Sequence, residues 1–304
     1  MTDTKKPIKT ERYERFTRSD RLEHWVQVVA FTGLAITGLV QFASEAAFPR
    51  SIIATLGGIN NTRFIHRSFG VVVLLTIAYH LGTAGYRLYV TRAGREMLPG
   101  RSDLRAFTHS VLYNLGRRSE PPYEGKFTFA EKTEYWSIIW GTVLMSITGL
   151  MMWNPVATTR ILPGQFIPAA KAAHGGEAIL AVLAILVWHA YFVHLRHYNR
   201  SMINGHFSEE EMRREHPAHL DEIHARAVGD SIPADTLRKR RRRFFPAYVF
   251  AIVIGAVGVV AFLTYEDVAI KTVPPPIPPE QVFVPYSSPD DGGTVDAVIR
   301  GAMP

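Results

Sequence analysis

The sequence predicts an all-α integral membrane protein: a four-helix transmembrane bundle followed by a fifth transmembrane helix. Three observations carry that prediction. Five windows of the 304-residue chain lack Asp, Glu, Lys and Arg altogether, at residues 25–44, 68–86, 135–159, 178–195 and 244–265. Each is close to the ~20 residues that a helix needs to cross a bilayer. Lys and Arg alternate along the segments that join these windows, numbering 7, 3, 9, 2, 11 and 2 from the N-terminus to the C-terminus. Five histidines, His24, His66, His80, His174 and His189, lie within or at the edges of the windows. An ionisable side chain at membrane depth is costly, so a functional role is its default reading.

The charge alternation orients the chain. Cytoplasmic loops carry the Lys/Arg excess, which places the N-terminus inside and the C-terminus outside. The expected organisation is a cytoplasmic N-terminal segment (1–23), a four-helix domain (24–199), a cytoplasmic basic linker with a short helix (200–243), a fifth span (244–265) and a Pro-rich periplasmic tail (266–304). The net charge is +7 and the chain has no cysteine. That excludes disulfides, cysteine-ligated iron–sulfur clusters and covalently attached c-type haem within this chain. No early apolar run with a cleavage site suggests a secretory signal peptide.

Taken in order, span one opens on Arg21-Leu22-Glu23-His24-Trp25, with Trp25 suited to the headgroup level. Thr37-Gly38 in span one recurs in type as Thr148-Gly149 in span three, and small residues let helices or a flat ring system approach closely. In the long inner loop, Leu104, Phe107, Val111, Leu112 and Leu115 share one helical face, which predicts an interfacial helix carrying a structural His109. Ser208 and Glu211 form a capping-box start for a short helix. His206, His216, His219 and His224 lie around it without compact ligand spacing. The basic run at 238–243 directly precedes an apolar window, so it reads as a topology anchor and not as a nucleic-acid patch. Pro246 is expected at the start of the fifth helix, where its missing N–H does little harm. The tail, with its repeated prolines, is expected to be extended. No internal repeat of 20–50 residues is evident.

The histidine spacing points to chemistry. On one α-helix, His174 and His189 are separated by roughly 22 Å of rise and only ~60° of rotation. Both rings then face one interior, near opposite sides of a hydrocarbon core about 30 Å thick. Imidazole is a common metal ligand and an axial ligand of haem iron, so the helix reads as one that carries two stacked b-type haems. His66 and His174 open their spans on the outer side and form the natural outer pair. On the inner side His189 has two claimants opposite it, His24 and His80. His80 precedes Arg87 by seven residues, as His189 precedes Arg196, and matching depth favours it; its other reading is a residue that supports a ligand or a quinone. Arg21, Arg67 and Lys132 lie where haem propionates would emerge. Glu177 is placed to orient His174 or move protons.

At these residues the chain resembles the cytochrome b subunit (gamma subunit) family of membrane-bound formate dehydrogenases and nickel–iron hydrogenases. The matching segments are RLEHWVQVV (21–29), RFIHRSFGVVV (63–73), GKFTFAEKTEYWSIIWGTVLMSITGLMMWNP (125–155), AAHGGEAILAVLAILVWH (172–189) and SMINGHFSEEEMRREHP (201–217). The resemblance implies a four-helix bundle with two bis-histidine haems that passes electrons between a periplasmic partner and quinone. It implies His66 and His174 at the outer haem, and His24 with His189 at the inner one, so it prefers His24 to His80. It implies a quinone (menaquinone or ubiquinone) site near 128–135, with Glu131, Lys132 and Tyr135 as its candidates. His80, the residues ahead of span three, the fifth span and the tail depart from the family pattern. The resemblance implies a periplasmic electron-transfer partner, an iron–sulfur protein or a multihaem cytochrome c; the tail suggests one other than the usual iron–sulfur subunit, such as a multihaem cytochrome c.

The expected protein is therefore a multi-pass subunit of the bacterial cytoplasmic (inner) membrane. It works in a hetero-oligomeric complex and binds two haem b, quinone and lipid, with no nucleic acid. The alternatives are a proton or ion transporter with a His/Glu relay, an anchor whose haem is only structural, and a stand-alone transmembrane reductase.

Overall fold

The computed structural model describes residues 12–93, 95–196, 198–225 and 232–266. The extended reading of the Pro-rich tail, and most of the first cytoplasmic segment, lie outside the described residues. In chain order the elements are β1 (Arg12–Glu14), α1 (Arg18–Phe42), α2 (Ala47–Thr55), α3 (Ile59–Gly85), α4 (Arg101–Asn114), α5 (Phe129–Trp153), α6 (Pro155–Ile161), α7 (Phe166–Leu183), α8 (Ser201–Asn204), β2 (His206–Ser208), α9 (Glu209–Glu215), α10 (Pro217–Ala225) and α11 (Ala234–Leu263). α3 continues into a π-helical turn, Tyr86–Thr91, and α7 into two, Ala184–His189 and Tyr191–Arg196. Among the described residues, five helical stretches are long and apolar enough to cross a membrane: Arg18–Phe42, Ile59–Thr91, Phe129–Trp153, Phe166–Leu195 and Ala234–Leu263. At most 17% of the most apolar window of any of them is buried. Val29, Leu75, Trp140, Leu186 and Phe250 face outward, as lipid-facing side chains of a membrane bundle do. α1 packs along α3 and α5 along α7, with α1 also against α7.

Two of these helices are built alike. Thr17 caps α1 by accepting from the Asp20 N–H while the Asp20 carboxylate accepts from the Thr17 N–H; Thr128 and Glu131 do the same for α5. Such caps satisfy donors that a helix start otherwise leaves open, at about 1 kcal/mol each. The likeness runs on at a constant offset from residues 16–42 to 127–153. Phe16-Thr17 matches Phe127-Thr128, Glu23-His24-Trp25 matches Glu134-Tyr135-Trp136, and Ile36-Thr37-Gly38-Leu39 matches Ile147-Thr148-Gly149-Leu150. Trp25 donates to the Met202 carbonyl at 3.2 Å and Trp136 to the Met97 carbonyl at 3.0 Å. The same pattern of residues thus recurs on α1 and α5, at a separation far longer than the 20–50-residue periods of solenoid repeats.

The helix from His174 to His189 is not uniformly α. Its two histidines are fifteen residues apart, whereas His66 and His80 in the matching helix are fourteen apart. The i→i+5 bonding of a π turn absorbs one extra residue, and the Ala184–His189 turn does so immediately before the second ring. Pro246 also differs from expectation. α11 begins at Ala234 and takes in the basic run, so Pro246 is interior and removes one helical hydrogen bond. The helix is held instead by its docking onto the end of α3. Arg240 donates to the Val90 carbonyl at 3.0 Å and Arg241 to the Tyr86 hydroxyl at 2.6 Å. Phe244 stacks on Tyr248 at 5.8 Å, and Gly82 and Gly85 leave room for these two rings.

A small cap closes the end where α1 begins. β1 and β2 pair antiparallel, with Tyr13 opposite Phe207. Phe207, Met212 and Leu220 form its core with Tyr13 and Ile223. His216 is buried there, stacks on Phe207 and donates through Nδ1 to the Gly125 carbonyl at 2.9 Å. Arg15, also buried, pairs with Glu131 at 2.8 Å, bonds the Lys126 carbonyl and lies over the Phe127 ring. Of the surrounding histidines, His206 bonds the Asn204 carbonyl, His224 the Tyr13 hydroxyl, and His219 neighbours Glu222. Among the described residues no group of three or more His, Asp or Glu side chains is arranged to hold a metal ion. α4 is the helix read from the apolar face in the long loop, and His109 on it bonds the Glu120 carbonyl at 3.1 Å.

Burial, and then the Arg15 charge, hold His216 below its ordinary value of 6.5. Below that value the unfolded state binds the extra proton first, so this contribution to cap stability is lost as pH falls through it. Glu124, pushed up from 4.5 by burial, contributes stability that is lost as pH rises, so the profile is read against a variant. Amide exchange of Phe207 and Leu220, corrected for intrinsic rate, should quicken on acidification below about 6.5, and the His216→Gln variant should lack that component.

Candidate functional site

The bundle brings four of the membrane-depth histidines together as two pairs. His66 near the start of α3 faces His174 in α7, with ring centroids 6.3 Å apart and planes at 69°. His24 near the start of α1 faces His189, at the end of the first π turn after α7, at 6.4 Å and 36°. A metal–imidazole bond is about 2 Å and the ring centre lies about 1 Å behind the bonded nitrogen, so two imidazoles on opposite sides of one metal stand about 6 Å apart. Both pairs have that separation. Haem iron takes two axial histidines in this manner.

The other ring nitrogens determine the tautomers. Thr37 Oγ1 donates its hydrogen to the Gly33 carbonyl at 2.6 Å, so toward His66 Nδ1, at 2.9 Å, it accepts. Thr148 repeats the arrangement, with the Leu144 carbonyl at 2.7 Å and His174 Nδ1 at 2.9 Å. His189 Nδ1 donates to the Glu134 carboxylate. In these three rings the hydrogen is on Nδ1 and the lone pair on Nε2, the form that can ligate a metal. Nδ1 of His24 is buried without a hydrogen-bond partner. Close approach is built in as well. A Cβ on Gly38 would stand 3.2 Å from Cε1 of His66, and one on Gly149 3.3 Å from Cε1 of His174. The Thr-Gly pairs of α1 and α5 thus perform one task twice: the hydroxyl fixes the ring and the glycine makes space for it.

His80 is arranged differently. Its Nδ1 bonds the Glu23 carboxylate and its Nε2 the Tyr135 hydroxyl at 2.7 Å, so both ring nitrogens are engaged by protein groups. The three residues read as quinone candidates each have a partner of their own. Glu131 is spent on the α5 cap and on Arg15, Lys132 pairs with Asp103 at 2.8 Å, and Tyr135 is the one in contact with His80. Glu177 lies over Gly141 on α5; the hydroxyl of Thr148, not Glu177, orients His174. Of the cations read as propionate partners, Arg21 bonds the Ile203 carbonyl, Lys132 has its aspartate and Arg67 lies over the Trp153 ring. Glu23, Glu134 and the two threonines as imidazole partners were not foreseen. The signal was available: Glu precedes His24 and Tyr135 alike, and each Thr follows its Glu by fourteen residues.

The family described as prokaryotic cytochrome b561 matches residues 12–205 of the chain. The chain is 24% identical over 205 residues to the cytochrome b556(Fdn) subunit of the nitrate-inducible formate dehydrogenase of Escherichia coli (strain K12), covering 67% of this chain and 88% of that protein. It is 22% identical over 214 residues to the cytochrome b556(fdo) subunit of formate dehydrogenase of the same strain, covering 69% and 92%. It is 23% identical over 201 residues to the formate dehydrogenase cytochrome b556 subunit of Haemophilus influenzae, covering 65% and 77%.

Replacing Thr37 or Thr148 by Val keeps the shape and leaves a half-buried imidazole N–H without its acceptor. Each change should cost about 1–3 kcal/mol, read as a lower unfolding midpoint in detergent. Ser at either position should restore most of it.

Proposed function

The chain belongs to the prokaryotic cytochrome b561 family, and on that premise we propose that it is a membrane-integral dihaem cytochrome b subunit carrying electrons across the membrane between a periplasmic redox partner and the quinone pool. The observation that carries this reading is the pair of facing imidazoles at each end of the bundle, 6.3 and 6.4 Å apart. His66 and His174 would hold the outer haem b, and His24 and His189 the inner one. His80 is not a ligand in this reading, because Glu23 and Tyr135 occupy both its nitrogens. Haem, when bound, supplies one-electron redox chemistry. The protein supplies ligands in the right tautomer, their spacing across the bilayer and an apolar surround that tunes potential.

The relatives are named as formate dehydrogenase subunits, which supports work in a hetero-oligomeric complex of the bacterial cytoplasmic membrane. The Lys/Arg alternation supports an inside N-terminus. The periplasmic partner is an electron-transfer protein, either iron–sulfur or multihaem cytochrome c; because this chain lacks cysteine, its cluster or c-type haem would lie on another polypeptide. Of the three quinone candidates, Tyr135 alone is free of a structural ion pair. It sits one residue after Glu134, the partner of His189, and thus beside the inner ligand pair.

The test is a dithionite-reduced visible spectrum of the purified protein with haem quantification. Two b haems per chain are expected, and fewer than two overturns the reading. His24→Ala and His189→Ala should each leave one haem, the outer, while His80→Ala should retain both. Loss of a haem in His80→Ala with retention of both in His24→Ala reverses the inner assignment.

A further inference from the structure

We propose that Glu134 is a positioning residue that lowers the reduction potential of the inner haem relative to the outer one. The inference rests on the reading of His189 as an axial ligand and goes beyond it, to what decides how firmly each iron holds its electron.

Within the two facing pairs, the three imidazoles whose Nδ1 is bonded differ in the charge of their partner. His66 and His174 each donate to a threonine hydroxyl, which is neutral and already gives its own hydrogen to a backbone carbonyl. His189 donates to a carboxylate. Both members of that pair are largely shielded, with side-chain exposures of 29% for His189 and 25% for Glu134, so bulk water screens the charge only in part. A carboxylate on Nδ1–H draws the proton away from the ring and makes Nε2 a stronger donor. Its negative charge also favours the iron state with the higher positive charge. Both effects stabilise ferric over ferrous iron at the inner site. His24 opposes neither, since its Nδ1 has no partner.

The recurrence of residue positions on α1 and α5 shows that the arrangement is specific. Glu23 stands in α1 where Glu134 stands in α5, and it bonds Nδ1 of His80 as Glu134 bonds Nδ1 of His189. The carboxylate–imidazole unit therefore occurs in both halves. In one half the facing residue is His24; in the other the same place is Tyr135, whose hydroxyl closes the unit at 2.7 Å. The outer pair is made of matching residues, one from each half, and its two rings carry matching threonines. The inner pair uses only one of two equivalent positions, and it alone couples a carboxylate to a ring that faces another imidazole.

The test is optical potentiometric titration of the purified protein carrying its haems, with Glu134→Gln, Glu134→Ala and Glu134→Asp. The inner haem is identified as the one missing in His189→Ala. Gln and Ala should raise the inner midpoint by at least a tenfold change in the redox equilibrium constant, about 59 mV for a one-electron couple. The outer midpoint should stay in place, and Asp should keep the inner one low. Either Gln or Ala suffices if the other fails to fold. An unmoved inner midpoint in a variant that retains two haems overturns the proposal and leaves the dihaem reading standing. Equal shifts at both haems, or loss of the inner haem in the Gln and Ala variants, overturn it too, since Glu134 would then act as a distant charge or as mere support. Fewer than two haems in the unaltered protein is the separate result that fails the dihaem reading itself.

Discussion

An imidazole held in an apolar bundle has two nitrogens to satisfy, and the rest of this structure follows from how the second one is bonded. Leaving it bare would cost a buried hydrogen bond and leave the tautomer undecided. Thr37, Thr148 and Glu134 remove both problems from the neighbouring helix, and each leaves the lone pair on Nε2. Each of those bonds also ties one helix to the next, α1 to α3 in the first case and α5 to α7 in the other two. Ligand orientation and helix packing are thus the same set of contacts.

Register is the second requirement. In a helix a residue's direction is set by its count along the chain, so one extra residue turns a side chain by about 100°. The two halves place their histidines fourteen and fifteen residues apart, and the π turn before His189 reconciles them. π turns are uncommon and tend to sit at functional positions. This one directs His189 at His24 while its Nδ1 still reaches Glu134. The pieces fit because the same Glu, Thr and Gly positions recur on α1 and α5.

Much of the fold was legible in the sequence because a bilayer imposes one-dimensional rules. A span must be about twenty apolar residues, and the five windows correspond to the five apolar helices. The helix α4 and the cap at Ser208 followed local rules equally well. What was misread lay where a local rule met a longer-range one. Pro246 looked like a helix start because the apolar window began just before it, but Arg240 and Arg241 have carbonyl and hydroxyl acceptors on the end of α3 and carry the helix through the basic run. The ion pairs of Glu131 and Lys132 were likewise hidden, since Arg15 and Asp103 reach them from segments far off in the chain. Glu177 looked close to His174 because it is three residues away, while the residue that bonds the ring is on another helix.

The sequence by itself determined the five apolar windows that became helices, the charge of the segments between them and the place of each membrane histidine along its window, since hydropathy and position along a helix are properties of one segment. It left His24 and His80 as rivals for one partner, because depth is shared and facing is not. Only the tertiary structure decided that His24 meets His189 while His80 is closed between Glu23 and Tyr135. The physical reason is that facing depends on the rotation of each helix about its own axis. That rotation is set by one π turn and by hydrogen bonds from adjacent helices, neither of which is written in the spacing of the histidines themselves.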